Sequence, residues 1–149
     1  MGIETQFWKN KVVFITGHNG FKGGWLSLIL DHFGAEVHGY SLEPDSDSIF
    51  YKSTLLENRL RTNTIGNIND LLSLDNNIRK VSPEIIFHLA AQPLVKESYE
   101  NPLETYNTNI IGTANLLEIS KSISSIKSIV NVTTDKCYKN NEWTYPYRE

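Results

Sequence analysis

Thr16-Gly17-His18-Asn19-Gly20-Phe21-Lys22-Gly23 decides how the rest of the chain is read, because it separates two segments of different periodicity. Before it, Lys11–Thr16 (KVVFIT) is a short β-branched and aromatic run, the composition of a buried strand. After it, Phe21–Phe33 (FKGGWLSLILDHF) places Trp25, Leu28, Ile29 and His32 on one helical stripe, and Gly34 supplies a stop. Strand, triple-glycine turn and helix in this order suit a dinucleotide diphosphate. The first glycine permits a tight turn, the second lets backbone approach the diphosphate, and the third lets helix pack on strand. Backbone N–H groups at the helix N-terminus, helped by the helix dipole, then hold the anion. The same string also serves as a structural turn between a strand and a helix. Its place inside a β-α-β unit is what favours the dinucleotide.

Outward from the turn, the alternation repeats. Ala35–Tyr40 (AEVHGY) reads as a second strand, residues 44–48 as a polar loop, and Ile49–Leu60 as irregular or weakly helical. Arg61–Ile65 reads as a weak third strand, and Asn69–Val81 repeats Leu71, Leu72, Leu74 and Ile78 at helical spacing. Glu84–His88 (EIIFH) is a fourth strand. Pro102 opens a helix carrying Tyr106, Ile110, Thr113 and Leu117, and Lys127–Val132 (KSIVNV) is a fifth strand. Five short apolar strands alternating with helices predict an α/β fold, a doubly wound parallel sheet of the Rossmann type. No internal repeat, low-complexity segment or linker interrupts residues 1–149, so they read as one nucleotide-binding domain.

Composition narrows the partners. The 149 residues carry a formal net charge of -3, so no global field draws the chain to nucleic acid or anionic lipid. Any positive potential for a phosphate ligand must be built locally. Cys137 is the single cysteine, which rules out an intrachain disulfide and implies no oxidising compartment. No apolar run reaches the ~20 residues of a membrane span, and Met1–Asn10 lacks the pattern of a signal peptide. The expected location is the cytoplasm.

Further strings line up in chain order with one superfamily. His88-Leu89-Ala90-Ala91-Gln92 follows the fourth strand, Asn109-Ile110-Ile111-Gly112-Thr113 lies in a central helix, and Val132-Thr133-Thr134-Asp135-Lys136-Cys137-Tyr138 follows the fifth strand. With the Gly-x-x-Gly-x-x-Gly spacing, these resemble the extended short-chain dehydrogenase/reductases. Within that superfamily, Gly20-Phe21-Lys22-Gly23-Gly24-Trp25-Leu26, Ala91-Gln92-Pro93-Leu94-Val95, the Thr133–Tyr138 string, and Glu142-Trp143 followed by Tyr147-Arg148-Glu149 resemble the CDP-glucose 4,6-dehydratases. The resemblance covers essentially the whole chain. It implies an NAD-dependent lyase that makes a 4-keto-6-deoxy sugar nucleotide for deoxysugar biosynthesis, and a homodimer or larger homo-oligomer.

The resemblance also distributes roles. NAD would rest on Gly17, Asn19, Gly20, Phe21, Lys22 and Gly23, on Ser41, on Asn67 and Ile68, on Leu89, Ala90 and Ala91, and on Asn109. An acidic residue at the end of the second strand would mark NAD through the adenosine ribose. Here Tyr40-Ser41 stands at that place, Ser41 offers a hydroxyl, and no nearby Arg suits a 2′-phosphate, so NAD is expected rather than NADP. Gly66-Asn67-Ile68 resembles the family's adenine-binding Gly-Asp-Ile, with Asn67 keeping an acceptor and adding a donor. Gln92, Lys96 and Tyr99 are candidate contacts to the nucleotide-sugar substrate.

Dehydrating a hexose at C6 requires oxidation at C4, loss of the acidified C5 proton with the C6 hydroxyl, and reduction at C6. The cofactor carries the redox chemistry and finishes unchanged. By resemblance, Thr134 hydrogen-bonds the sugar O4, Asp135 protonates the departing hydroxyl, and Lys136 acts at C5. The related dTDP-glucose dehydratases carry Glu where this chain has Lys136. Lysine acts as a base only when neutral, which needs a lowered pKa; as a cation it stabilises a developing enolate instead. Read alone, Thr-Thr-Asp is also an ordinary polar turn.

Other candidates carry less. His88, at a strand end, reads as structural or as a pocket wall. His18 and His32 lack the partners of a metal site, and no metal is expected. Cys137 has no paired histidine motif for a nucleophile. Trp143, Tyr145 and Tyr147 suit either a packed loop or a sugar pocket. No tyrosine has a lysine four positions later, so the Tyr-x-x-x-Lys helix of the superfamily is missing. The expectation is therefore a Rossmann domain incomplete at its C-terminus, without its substrate-binding domain and inactive alone. Rival functions are another sugar-nucleotide epimerase or dehydratase, and a non-catalytic NAD-binding module.

Overall fold

The alternating segments fold as one five-stranded parallel sheet in the computed structural model, which describes residues 5–134 and 137–147. The strands are β1 (Val12–Thr16), β2 (Glu36–Ser41), β3 (Thr62–Ile65), β4 (Ile85–His88) and β5 (Ser128–Asn131), in spatial order β3-β2-β1-β4-β5. Val13 lies beside Val37 and Ile85, and Thr16 lies beside Tyr40 and His88. The chain runs outward from β1 in one direction through β2 and β3, then crosses to β4 and β5. That reversal opens a crevice at the carboxyl ends of β1 and β4, the place where open α/β sheets bind ligands.

The helices are α1 (Thr5–Trp8), α2 (Phe21–His32), α3 (Ile49–Thr54), α4 (Leu71–Val81), α5 (Val95–Glu100), α6 (Pro102–Tyr106) and α7 (Thr113–Ser120). A 3-10 turn spans Leu56–Arg59, and a π-helical turn, Asn107–Gly112, joins α6 to α7. The central strands β1 and β4 are covered on both faces, so these two read as nearly continuous apolar runs. Phe14, Tyr40 and Ile86 pack against Leu74 and Ile78 of α4 and Leu116 and Ile119 of α7. On the other face, Val13, Ile15, Val37 and Ile85 pack with Leu30 of α2. Asp70 caps α4 by accepting from the Ser73 N–H at 3.0 Å. No helix among the described residues is long and apolar enough to cross a membrane.

Two helical stripes differ from the expectation. In α2 the buried face is Gly23, Gly24, Ser27 and Leu30, while Trp25 and Ile29 are about half exposed. The start of α2 lies too close to the glycine turn and to α3 for large side chains. A Cβ on Gly24 would run into the Phe50 ring, and Trp25 turns outward to pack on that ring at 5.3 Å between centroids. In the last helix the buried positions are Gly112, Leu116, Ile119 and Ser120, while Tyr106, Ile110 and Leu117 are exposed. The π-helical turn shifts the phase between α6 and α7, so a constant 3.6-residue count picks the wrong face. Leu71 and Leu72 of α4 are likewise exposed, and α5 is a short helix not anticipated from the sequence.

Candidate functional site

The glycine turn carries the geometry its spacing predicts. Gly17 has φ of +76°, a conformation that favours glycine, and a Cβ there would lie 2.7 Å from the Ala90 nitrogen. Its N–H donates to the Tyr40 carbonyl at 2.9 Å, tying the turn to β2. Gly20 is the N-cap of α2 in extended conformation, and a Cβ there would meet only the Gly17 carbonyl oxygen, at 3.3 Å. At Gly23 a Cβ would overlap the Gly17 carbonyl oxygen and lie 2.8 Å from the Gly17 carbonyl carbon. The helix thus starts as close to β1 as backbone allows. Open space above Gly20 and free N–H groups at a helix start form a cradle for a diphosphate. Phe21 and Lys22 are exposed on its rim.

The flanking candidates line the same sheet edge. Ser41 ends β2 half-buried, and the Gly66 N–H donates to its carbonyl at 2.8 Å. Asn67 is exposed, its Oδ1 accepting from the Asn69 N–H at 2.9 Å. The Ile68 side chain is buried in the core against Gly112, leaving its backbone as the part that can meet a ligand. Tyr40 donates its hydroxyl hydrogen between the Asn67 carbonyl at 3.1 Å and Ser73 Oγ at 3.2 Å, and burial pushes its pKa up.

A polar chain that the sequence reading did not assemble joins β1, β4 and α7. The Leu89 and Ala90 N–H groups donate to Thr16 Oγ1 at 3.2 and 3.3 Å. Thr16 Oγ1 lies 2.6 Å from His88 Nδ1, and His88 Nε2 lies 2.9 Å from Thr113 Oγ1. Thr113 in turn donates to the Asn109 carbonyl at 2.8 Å. Counting donors fixes the tautomer. With two amides donating to it, Thr16 spends its own hydrogen on Nδ1, and Nε2–H donates to Thr113, whose hydrogen is already placed on Asn109. Asn109 holds the Gln92 backbone at both ends, accepting from its N–H at 2.8 Å and donating to its carbonyl at 3.1 Å. Thr16, directly before the glycine turn, and Thr113 were the sequence signals for this chain.

The substrate candidates divide. Gln92 is fully engaged inside its own loop, accepting from the Leu94 N–H at 2.6 Å and donating to Thr105 Oγ1 at 2.9 Å. Lys96 is exposed and pairs with Glu100 at 3.7 Å, and Tyr99 is exposed. Thr134 is exposed beyond β5, at the carboxyl edge of the sheet that also carries Gly17 and Leu89. Asp135 and Lys136 lie outside the described residues. Trp143 packs on Tyr145 and Tyr147, with centroids 5.2 and 5.6 Å apart, so these rings stack on one another. Cys137 is exposed, and His18 is buried with Nε2 at 2.7 Å from Asn63 Oδ1.

The family model for GDP-mannose 4,6 dehydratase matches residues 14–149. The chain belongs to that family. Over 99% of its length it is 53% identical to a CDP-glucose 4,6-dehydratase of Salmonella typhimurium, covering 41% of that protein. A solved epimerase from Methanothermobacter thermautotrophicus superposes with a TM-score of 0.79 at 23% identity, over 97% of this chain and 41% of that one. A UDP-glucose-4-epimerase from Stenotrophomonas maltophila, solved with bound NAD and formylated UDP-arabinopyranose, gives a TM-score of 0.74 at 21% identity, over 91% and 40%. The chain therefore spans about two fifths of the length of these relatives, and the structural neighbours share its fold.

In this family member, burial pushes the His88 imidazole down to about 4. The unfolded chain takes up a proton near pH 6.5, and the folded one refuses it until about pH 4. Stability from this group is therefore complete above pH 6.5 and is lost as the pH falls toward 4, by about 3 kcal/mol. His88→Gln keeps a donor and an acceptor without titrating. Urea unfolding between pH 4 and 7 should show a flatter acid limb in this variant than in the wild type; identical limbs would remove His88 from the account.

Proposed function

We propose that the intact protein is an NAD-dependent CDP-glucose 4,6-dehydratase that forms CDP-4-keto-6-deoxyglucose, working in the cytoplasm as a homo-oligomer. The observation that carries this reading is the 53% identity to the Salmonella enzyme along nearly the whole chain. Bound NAD would take hydride from sugar C4 and return it at C6. The chain's own residues would do the rest.

The diphosphate would rest on the turn from Gly17 to Gly23, held by the amides at the start of α2, with the Phe21 and Lys22 side chains on the rim. Ser41 and the Asn67-Ile68 backbone would face the adenosine half, and Leu89, Ala90, Ala91 and Asn109 the nicotinamide half. The His88 chain would hold the Leu89-Ala90 backbone and Asn109 at fixed distance from the end of β1, where the glycine turn begins. Thr134 would hydrogen-bond the sugar O4, Asp135 would give a proton to the departing C6 hydroxyl, and Lys136 would act at C5. Lys96, which would exchange its surface pair with Glu100, and the exposed Tyr99 would meet the nucleotide diphosphate, whereas Gln92 would serve that site through its loop.

The test is incubation of the intact protein with NAD and, separately, CDP-, dTDP- and GDP-hexoses, with 4-keto sugar as the readout. Product from CDP-glucose alone is the expected result. Product from another nucleotide sugar would move the assignment to a different family member, and NAD binding without any product would favour a binding module.

A further inference from the structure

We propose that Thr113 is a positioning residue for the chemistry at sugar C4, an inference that rests on the dehydratase reading above. Thr113 is half-buried at the first position of α7, and its hydroxyl makes two bonds. It accepts from His88 Nε2 at 2.9 Å and donates to the Asn109 carbonyl at 2.8 Å. Donation to a carbonyl four residues back is common for a helical threonine and by itself marks no site. Here the other bond reaches a second element. His88 ends β4, is only 2% exposed, and is held in turn by Thr16 of β1 at 2.6 Å. One hydroxyl thus fixes the start of α7 against the two central strands.

The backbone it fixes is irregular. Asn107–Gly112 is a π-helical turn, a rare form that is frequent at functional sites. A Cβ on Gly112 would lie 2.5 Å from Ile68 Cγ2, so the same turn is pressed against the segment after β3. Held from two sides, it presents Asn109 to the loop that follows β4. The Asn109 side-chain amide pairs with the Gln92 peptide as a neighbouring strand would, accepting its N–H at 2.8 Å and donating to its carbonyl at 3.1 Å. Gln92 then fastens the loop through Leu94 and Thr105. In the proposed reading this loop meets the nicotinamide half at Leu89, Ala90 and Ala91 and the substrate just beyond Gln92. An error of about 1 Å in such a placement costs a transfer reaction on the order of 10²-fold.

The test is steady-state kinetics of the intact protein with NAD and CDP-glucose, unlabelled and deuterated at C4, for the wild type, Thr113→Val and Thr113→Ser. Valine keeps the shape and removes both bonds, whereas serine keeps both. Thr113→Val should have kcat lowered about tenfold or more, KM for CDP-glucose within about twofold of the wild type, and a full primary isotope effect on kcat. Thr113→Ser should restore the wild-type values. If Thr113→Val does not melt cooperatively, His88→Asn is read in its place, because it keeps an acceptor for Thr16 and cannot reach Thr113. Unchanged kcat with a lowered melting temperature, or a slow variant without that isotope effect, makes the bond structural. Either result overturns the proposal and leaves the dehydratase reading standing. Absence of 4-keto product from the wild type overturns both.

Discussion

Replacing Gly23 by Ala should unfold or severely destabilise the protein, whereas Gly20→Val should leave the fold and remove dinucleotide binding. The two glycines are three residues apart in one turn, yet their surroundings differ. A methyl group on Gly23 would overlap the Gly17 carbonyl oxygen and crowd the His18 Cα at 2.9 Å. These are backbone atoms held by the Gly17-to-Tyr40 and Gly20-to-Gly17 hydrogen bonds, so they cannot step aside as a flexible side chain would. Overpacking against fixed backbone is expected to cost at least ~3 kcal/mol.

At Gly20 the backbone is already extended, with φ of -75°, and the tightest Cβ contact is 3.3 Å. A valine there costs the fold about 1 kcal/mol as a poor N-cap but fills the space a diphosphate would use. Thermal melts and NAD titration separate the cases. Gly20→Val should melt within a few degrees of the wild type and bind NAD at least ~100-fold more weakly, roughly the loss of the diphosphate contacts. Retained affinity in Gly20→Val would count decisively against the cradle.

In the intact protein, Asp135→Asn should slow formation of the 4-keto-6-deoxy product by roughly 10²- to 10⁴-fold, the range of a lost general acid. Oxidation at C4 does not need this acid, so absorbance of reduced nicotinamide should build up on adding CDP-glucose instead of remaining at a low steady level. Normal turnover in this variant would reassign the acid. If Lys136 acts at C5 as proposed, its two candidate roles separate by substitution. Lys136→Arg preserves the cation but cannot act as a base near neutral pH. Activity surviving in Lys136→Arg and lost in Lys136→Ala would mean that charge at C5 is what matters.

The one-dimensional string determined a good deal. All five strands stand within a residue or two of the expected bounds; β1 and β4 are the plainest, because a strand covered on both faces must be apolar at nearly every position. Their parallel arrangement follows from the helical lengths between them. The cradle was equally legible: a positive φ at Gly17 and backbone contact at Gly23 are demands that only glycine meets, so they leave a mark in sequence.

What depended on partners distant in the chain was not legible. The buried stripes of α2 and α7 differ from the spacing expected in sequence because the glycine turn and α3 crowd the first, and a π-helical shift turns Leu116 and Ile119 of the second to the core. The partners of Gln92 are of this kind: Thr105 and Leu94 use its amide. Likewise the His88 chain needs Thr16 and Thr113, which lie 72 and 25 residues away. Backbone conformation and hydrophobic burial are properties of residue type and nearest neighbours, so sequence records them. Hydrogen-bond partnership between remote side chains is set by where the sheet brings the strand ends together, and only the tertiary structure decides it.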